Sequence, residues 1–304
     1  MRILFIAPGL IAIPPNGWGA LETVVWNQLT ELRKLGIETH FINTPDQQRI
    51  LETVSSMKPD IVHLHYGKHY EIMPEIKCRK IVTNHDGSFK FSGQFHDMVV
   101  RRYLYDCEFF CLSEYERQFF TRIGISKNKV KIMPNGVNTS KFRVTPWPLL
   151  RSVCVGKIDE RKRQHLLQYK DLDLHFVGPN ATDKFDISDE NYKGAWTQEE
   201  LFDKLTIYAN FVLLSSSENC APLVCLEALS AGLGLVISEA CTESLDLSKD
   251  FITVIPENKI EDWKFVRSEI ARNADLSVTR RKEIVEYAKT RDWSEMAKIY
   301  KGYL

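Results

Sequence analysis

The chain has 304 residues, 44% of them apolar and 26% charged, which is material for two hydrophobic cores of about 150 residues each. Forty basic and forty acidic side chains leave a formal net charge of zero, and that balance argues against nucleic acid as a main partner, because phosphate backbones demand a basic excess. Seven cysteines without CxxC spacing do not form a disulfide framework and suit a reducing, cytoplasmic setting.

The opening run RILFIA (2–7) ends at Pro8 and Gly9 and reads as a strand buried on both faces, too short for a membrane span. From Ala20, Leu21, Val24, Val25, Leu29, Leu32 and Leu35 fall at helical spacing until Gly36 stops the helix. Strands follow at 37–43, 60–65, 80–86, 108–113 and 129–136, with a polar helix at 46–57 between the first two of these. The prolyl stretch Pro146-Trp147-Pro148 reads as a linker. Beyond it the alternation restarts: strands at 151–157, 174–178, 210–216, 233–238 and 251–255, with helices near 161–170, 198–207 and 222–231. Residues 259–304 are mostly helical. Strands alternating with helices imply parallel sheets covered on both faces. The fold class is therefore α/β, with two doubly wound, Rossmann-like domains. Ligands of such sheets sit at the carboxyl ends of the strands, so the site is expected in the cleft between the domains.

The most informative segment is SSSENCAPLVCLEALSAG (215–232). A buried strand ends at the serines, a loop carries Glu218, and a helix opens near Pro222 and Leu223. Free N–H groups at a helix start, together with the helix dipole, form an anion site. Glu227 lies about one turn further in, where a carboxylate can accept hydrogen bonds from a diol. Taken alone, two such glutamates are more often a cap and a solvated side chain. A second segment, VGKIDERKR (155–163), follows the strand that opens the second half. Lys157 and Lys162 supply cations that a departing diphosphate requires, whereas Arg161 and Arg163 read as solvated. In the first half, PPNGWGALE (14–22) places Gly17 and Gly19 between strand and helix, where backbone N–H groups can approach a ligand. It contains no GxGxxG dinucleotide fingerprint. Asn84-His85-Asp86 ends the fourth strand. His63 and His65 end the third, and His63 reads as a core residue.

In their order along the chain these segments resemble the retaining glycosyltransferases of family 4, which have the two-domain GT-B fold. In that family two glutamates enclose seven residues. Here Glu218 and Glu227 enclose eight, so either Glu218 or Asn219 stands at the first position. The resemblance implies that Glu218, His85, Lys157 and Lys162 serve catalysis, and that Gly17, Gly19, Trp196, Asn219, Pro222, Leu223 and Glu227 bind the donor. It also resembles the family at MPNGVN (133–138) and at RDWS (291–294). The implied layout is an acceptor-side domain at 1–146, a nucleotide-sugar-binding domain at 147–285 and a helix at 286–304 crossing back. The implied reaction transfers a sugar from a nucleoside-diphosphate sugar, without metal or cofactor, to a sugar, lipid-linked or protein acceptor. A nucleotide-sugar epimerase and a non-catalytic nucleotide-sugar-binding protein are the alternatives. The stretch MVVRRYL (98–104) fits either peripheral contact with the cytoplasmic membrane face or a core helix with two exposed arginines.

Overall fold

The computed structural model describes residues 1–304 except Asn16, Trp18, Tyr66, residues 86–92, Asn219, Ala221 and the side chains of Phe95 and His96. In chain order the elements are β1 (Arg2–Ala7), α1 (Ala20–Lys34), β2 (Glu38–Asn43), α2 (Gln47–Met57), β3 (Ile61–Leu64), β4 (Arg79–Val82), α3 (Gly93–Val99), β5 (Glu108–Cys111), α4 (Glu114–Arg122) and β6 (Val130–Ile132). They continue with β7 (Ser152–Val155), β8 (Leu174–Val177), α5 (Gln198–Lys204), β9 (Asn210–Leu213), α6 (Leu223–Ser230), β10 (Gly234–Ser238), β11 (Ile252–Ile255), α7 (Trp263–Lys289) and α8 (Trp293–Tyr303). Each apolar run of the sequence thus forms a strand. The helix expected near 161–170 does not form. Only a 3-10 turn at Gln164–Leu166 occurs there, because Asp159 caps a tight turn through the Lys162 N–H at 2.9 Å. Arg163, Tyr169 and Asp171 then take positive φ, which breaks the helical path.

Two compact units divide the chain: Met1–Asn135 with Trp293–Leu304, and Gly136–Asp292. The division falls at Asn135–Gly136 rather than at the prolyl stretch. The first unit holds a six-stranded sheet in the order β2-β1-β3-β4-β5-β6 and the second a five-stranded sheet in the order β11-β10-β9-β7-β8. Every described strand pair is parallel. The order reverses between β1 and β3 in the first sheet and between β7 and β9 in the second. Loops leaving the carboxyl ends at such a reversal splay apart and leave a crevice for ligands.

Both faces of the central strands β1, β3, β7, β9 and β10 are buried, as parallel sheets require. In the second unit Val153, Val155, Phe211, Leu213, Leu235 and Ile237 face one layer. Their alternate neighbours Cys154, Val212, Leu214 and Val236 face the other, following the two-residue period of a strand. Arg281 of α7 is buried and donates to the carbonyls of Thr145, Thr206, Tyr208, Ala231 and Gly232. It thereby satisfies the free carbonyls at the end of α6, and burial holds its guanidinium down at about 10. Entry and exit of the second unit are pinned together: the Val137 N–H donates to the Arg291 carbonyl, and the Thr139 hydroxyl and N–H donate to Asp292.

In the first unit α8 packs on α1. The Tyr300 hydroxyl lies 2.8 Å from His63 Nδ1, and the Tyr303 hydroxyl donates to the Ile132 carbonyl. Arg79 forms a fork with Glu108 and also donates to the Tyr303 and Leu304 carbonyls, closing the end of α8. No disulfide links the seven cysteines. Among the described residues no helix is long and apolar enough to cross a membrane. Residues 98–104 finish α3 and make one π-helical turn, with Val100 and Leu104 buried and Arg101 and Arg102 exposed.

Candidate active site

In the second unit, two loops leave the adjacent strands β7 and β9 at the point where the strand order reverses. The first turns at Gly156, which has φ +145. A side chain at the neighbouring Gly178, φ +143, would place a Cβ 2.0 Å from the Gly156 carbonyl oxygen. Only glycine therefore allows the loops after β7 and β8 to meet. Lys162 lies across Gly156, its Nζ 3.1 Å from where a Cβ would stand. It is 3.8 Å from Glu218 Oε1, and both side chains are largely buried. Lys157, in contrast, is exposed, with its carbonyl accepting from Gln164.

Arg161 is exposed, yet its guanidinium is engaged. Its Nη1 lies 2.5 Å from Glu218 Oε1, 2.7 Å from the Ser217 carbonyl and 3.3 Å from Ser215 Oγ. Its own carbonyl accepts from the Ser216 N–H at 2.8 Å. The sequence offers no signal for this strap, since it joins residues 57 positions apart. Arg163 turns the other way, to Glu257. Asn219 and Ala221 lie outside the described residues.

Pro222 is the N-cap of α6 rather than its first helical residue, with φ −57 and an extended ψ of 146. Its missing N–H still costs nothing there, and the first N–H groups of α6 have no intrahelical partner. Leu223 opens the helix. Glu227, one turn on, is half-buried. Burial alone pushes its carboxyl up to about 7, with no charged or hydrogen-bonding neighbour among the described residues contributing. Trp196 is buried in the core beside Tyr208, so only its main chain and the flanking Gly194 and exposed Ala195 are left to meet a ligand.

The first unit presents a second cluster at the ends of β3 and β4. His85 Nε2 is 3.0 Å from His65 Nδ1, and the His65 ring lies 4.0 Å from that of His63. His63 is held between Tyr300 and the Thr83 hydroxyl, 2.9 Å from its Nε2. Burial keeps all three rings from protonating: His63 and His65 well below the ordinary value and His85 down to about 4. Among the described residues nothing lies within 4 Å of where a Cβ on Gly17 would stand, and Gly19, the N-cap of α1, sits against Pro15 and Glu22. Among the described residues no three His, Cys, Asp or Glu side chains are grouped as metal ligands.

Comparison with known proteins bears on these clusters. Residues 45–141 match the model of Glycosyltransferase Family 4. Over that segment the chain is similar to glycosyltransferase family 4. Its GT-B fold is shared with sucrose-phosphate synthase from Thermosynechococcus elongatus, at TM-score 0.73 and 16% identity over 99% of this chain and 98% of that one. The lipopolysaccharide outer core galactosyltransferase WaaB, in its apo form, superposes with TM-score 0.73 and 17% identity over 100% of this chain and 99% of that one. The Anabaena protein HepE, solved in complex with UDP and glucose, gives TM-score 0.66 and 12% identity over 99% and 98%. No curated protein sequence matches the chain. The matched segment covers β3 to β6, and so includes the histidine cluster, whereas Lys162, Glu218 and Glu227 lie outside it.

Proposed function

We propose that this glycosyltransferase moves a sugar from a nucleoside-diphosphate sugar to an acceptor hydroxyl, with retention at the anomeric carbon and without a metal ion. One observation carries the reading: Lys162, the N-terminus of α6 and the half-buried Glu227 all follow the adjacent strands β7 and β9, at the strand-order reversal of the second unit. HepE has been solved with UDP-glucose, which supports a nucleotide-sugar donor. Lys162, Lys157 and the α6 N–H groups would take the diphosphate, Glu227 the ribose diol, and the main chain at 194–196 the base. The bond from the anomeric carbon to phosphate oxygen breaks with its electron pair on the departing diphosphate. The acceptor oxygen attacks the same face, and its proton passes to that diphosphate. Fixed cations act where the charge develops. Glu218 would border the sugar. The acceptor, whether sugar, lipid-linked or protein, would fall to the first unit.

Thermal melting against a panel of nucleoside diphosphates and nucleotide sugars in EDTA tests the reading. One base is expected to raise the melting temperature, because a ligand at a hundred times its Kd adds about 2.7 kcal/mol. Binding that vanishes in chelator and returns only with a divalent metal would overturn it.

The raised Glu227 value gives a pH signature. Hydrogen bonds from a ribose diol favour the carboxylate, so binding below about pH 7 must release the proton that burial keeps on Glu227. Affinity for the nucleotide sugar, whose diphosphate has no proton to lose in this range, is expected to rise from pH 6 towards a plateau above 7. The limiting slope is about tenfold per pH unit. Calorimetric titrations at pH 6, 7 and 8 measure it, and Glu227→Gln should flatten the profile. A wild-type profile already flat would show that Glu227 does not hold the ribose.

A further inference from the structure

The two loops of the second unit each carry charge, yet they divide it unequally. Arg161 places its guanidinium on Glu218, on the Ser217 carbonyl and on Ser215 Oγ. Its carbonyl receives the Ser216 N–H and hydroxyl, and Ser215 Oγ. Both ends of residue 161 are thus committed to the stretch from Ser215 to Glu218. Ser215 is anchored in turn, since its carbonyl accepts from the buried Ser238 hydroxyl at the end of β10. Lys162 differs. It stands 3.8 Å from Glu218, beyond hydrogen-bond range, and its Nζ overhangs Gly156.

We propose that Arg161 is a positioning residue that fixes the Glu218 carboxylate for the transferred sugar, leaving diphosphate contact to the neighbouring lysines. The inference rests on the nucleotide-sugar reading above and deepens it: of the two candidates for the first acidic position, it selects Glu218. The physical reason is geometric. A planar guanidinium holds a carboxylate and a carbonyl in one fixed fork, whereas an ammonium is a rotatable point charge. Misplacing a reacting contact by about 1 Å can cost about a hundredfold in rate.

The experiment has two readouts. Inorganic pyrophosphate binding, followed by calorimetry, reports the diphosphate contacts without any need to know the base. Turnover with the nucleotide sugar selected by the melting panel reports Glu218. Arg161→Ala is expected to bind pyrophosphate within about twofold of wild type, where Lys162→Ala loses tenfold or more. It should lower kcat by about tenfold to a hundredfold with KM nearly unchanged. In a Glu218→Gln background the same change should cost nothing further, since residues acting through one another are non-additive. Arg161→Lys should restore part of kcat. Loss of pyrophosphate binding in Arg161→Ala equal to that in Lys162→Ala would make Arg161 a phosphate ligand and overturn the inference. So would full additivity with Glu218→Gln. A wild-type protein that binds neither pyrophosphate nor any nucleoside diphosphate overturns the nucleotide-sugar reading itself, and so is distinct from failure of the Arg161 assignment. Arg161 is 43% exposed, so its variants are expected to fold, and Arg161→Gln, which keeps the length of the side chain, provides a second test.

Discussion

Replacing Lys162 by alanine is expected to lower sugar transfer about a hundredfold in a protein that still folds, the loss typical of one fixed charge at a developing anion. The size follows from where the ammonium sits. Its side chain is 11% exposed, packed over Gly156 and beside Glu218, so water screens it weakly. The diphosphate gains negative charge as the bond to the sugar breaks, and a cation already held in place needs no reorganisation at that moment. Turnover at saturating donor, with circular dichroism to establish folding, measures the effect. Unchanged turnover in a folded Lys162→Ala protein would remove this residue from the site.

Acid should unfold the two units unequally, the first before the second. His63, His65 and His85 are kept neutral in the folded protein by burial, His85 down to about 4, against an ordinary value of 6.5. Their folded values are depressed, so the unfolded chain takes up protons that the fold refuses. Stability is then fully present above pH 6.5 and is lost progressively as pH falls towards 4. Each histidine contributes a slope of at most about 1.4 kcal/mol per pH unit, so three give roughly 4. His65 Nε2, buried without a hydrogen-bond partner among the described residues, has no acceptor to offset its charging. In the second unit Glu227 acts in the opposite sense. Its folded value of about 7 exceeds the ordinary 4.5, so its contribution is fully present below pH 4.5 and is lost as pH rises through 7. Hydrogen exchange at pH 7.5, 6 and 5 separates the two. Amides of β1, β3 and β4 should lose protection before those of β9 and β10, and His85→Asn should lessen the difference. Equal protection loss in both sheets would contradict the assignment of acid sensitivity to the histidine cluster.

Strand positions were legible because parallel strands buried on both faces are short, continuous apolar runs, and RILFIA or LGLVIS has no other comfortable conformation. The helix α6 was legible for a similar reason, with Glu227 placed one turn beyond the prolyl start. The turn after β7 was not. Its basic run resembles a helix opening, but Asp159 closes it locally and the Ile158–Asn180 bridge fixes it from outside. Long-range pairing was equally hidden. Nothing near Arg161 announces Glu218, and nothing near His63 announces Tyr300, so a solvated arginine and an isolated core histidine were the natural expectations. His65 could have been found from the alternation of the third strand's end: it shares a face with His63, and its ring therefore had to meet the neighbouring strand.

The discontinuity of the first unit has a bearing on synthesis. His63 leaves the ribosome 237 positions ahead of Tyr300, the residue that covers it. At about 5–20 residues per second the delay is roughly 10–50 s. Throughout that interval the sheet face carrying Phe5, His63 and Phe110 lacks the aromatic ring of Tyr300 that closes it, while the second unit, Gly136–Asp292, is itself being made. The first unit therefore stays uncapped while the whole of the second is synthesised, and that uncapped face is the surface a chaperone would meet.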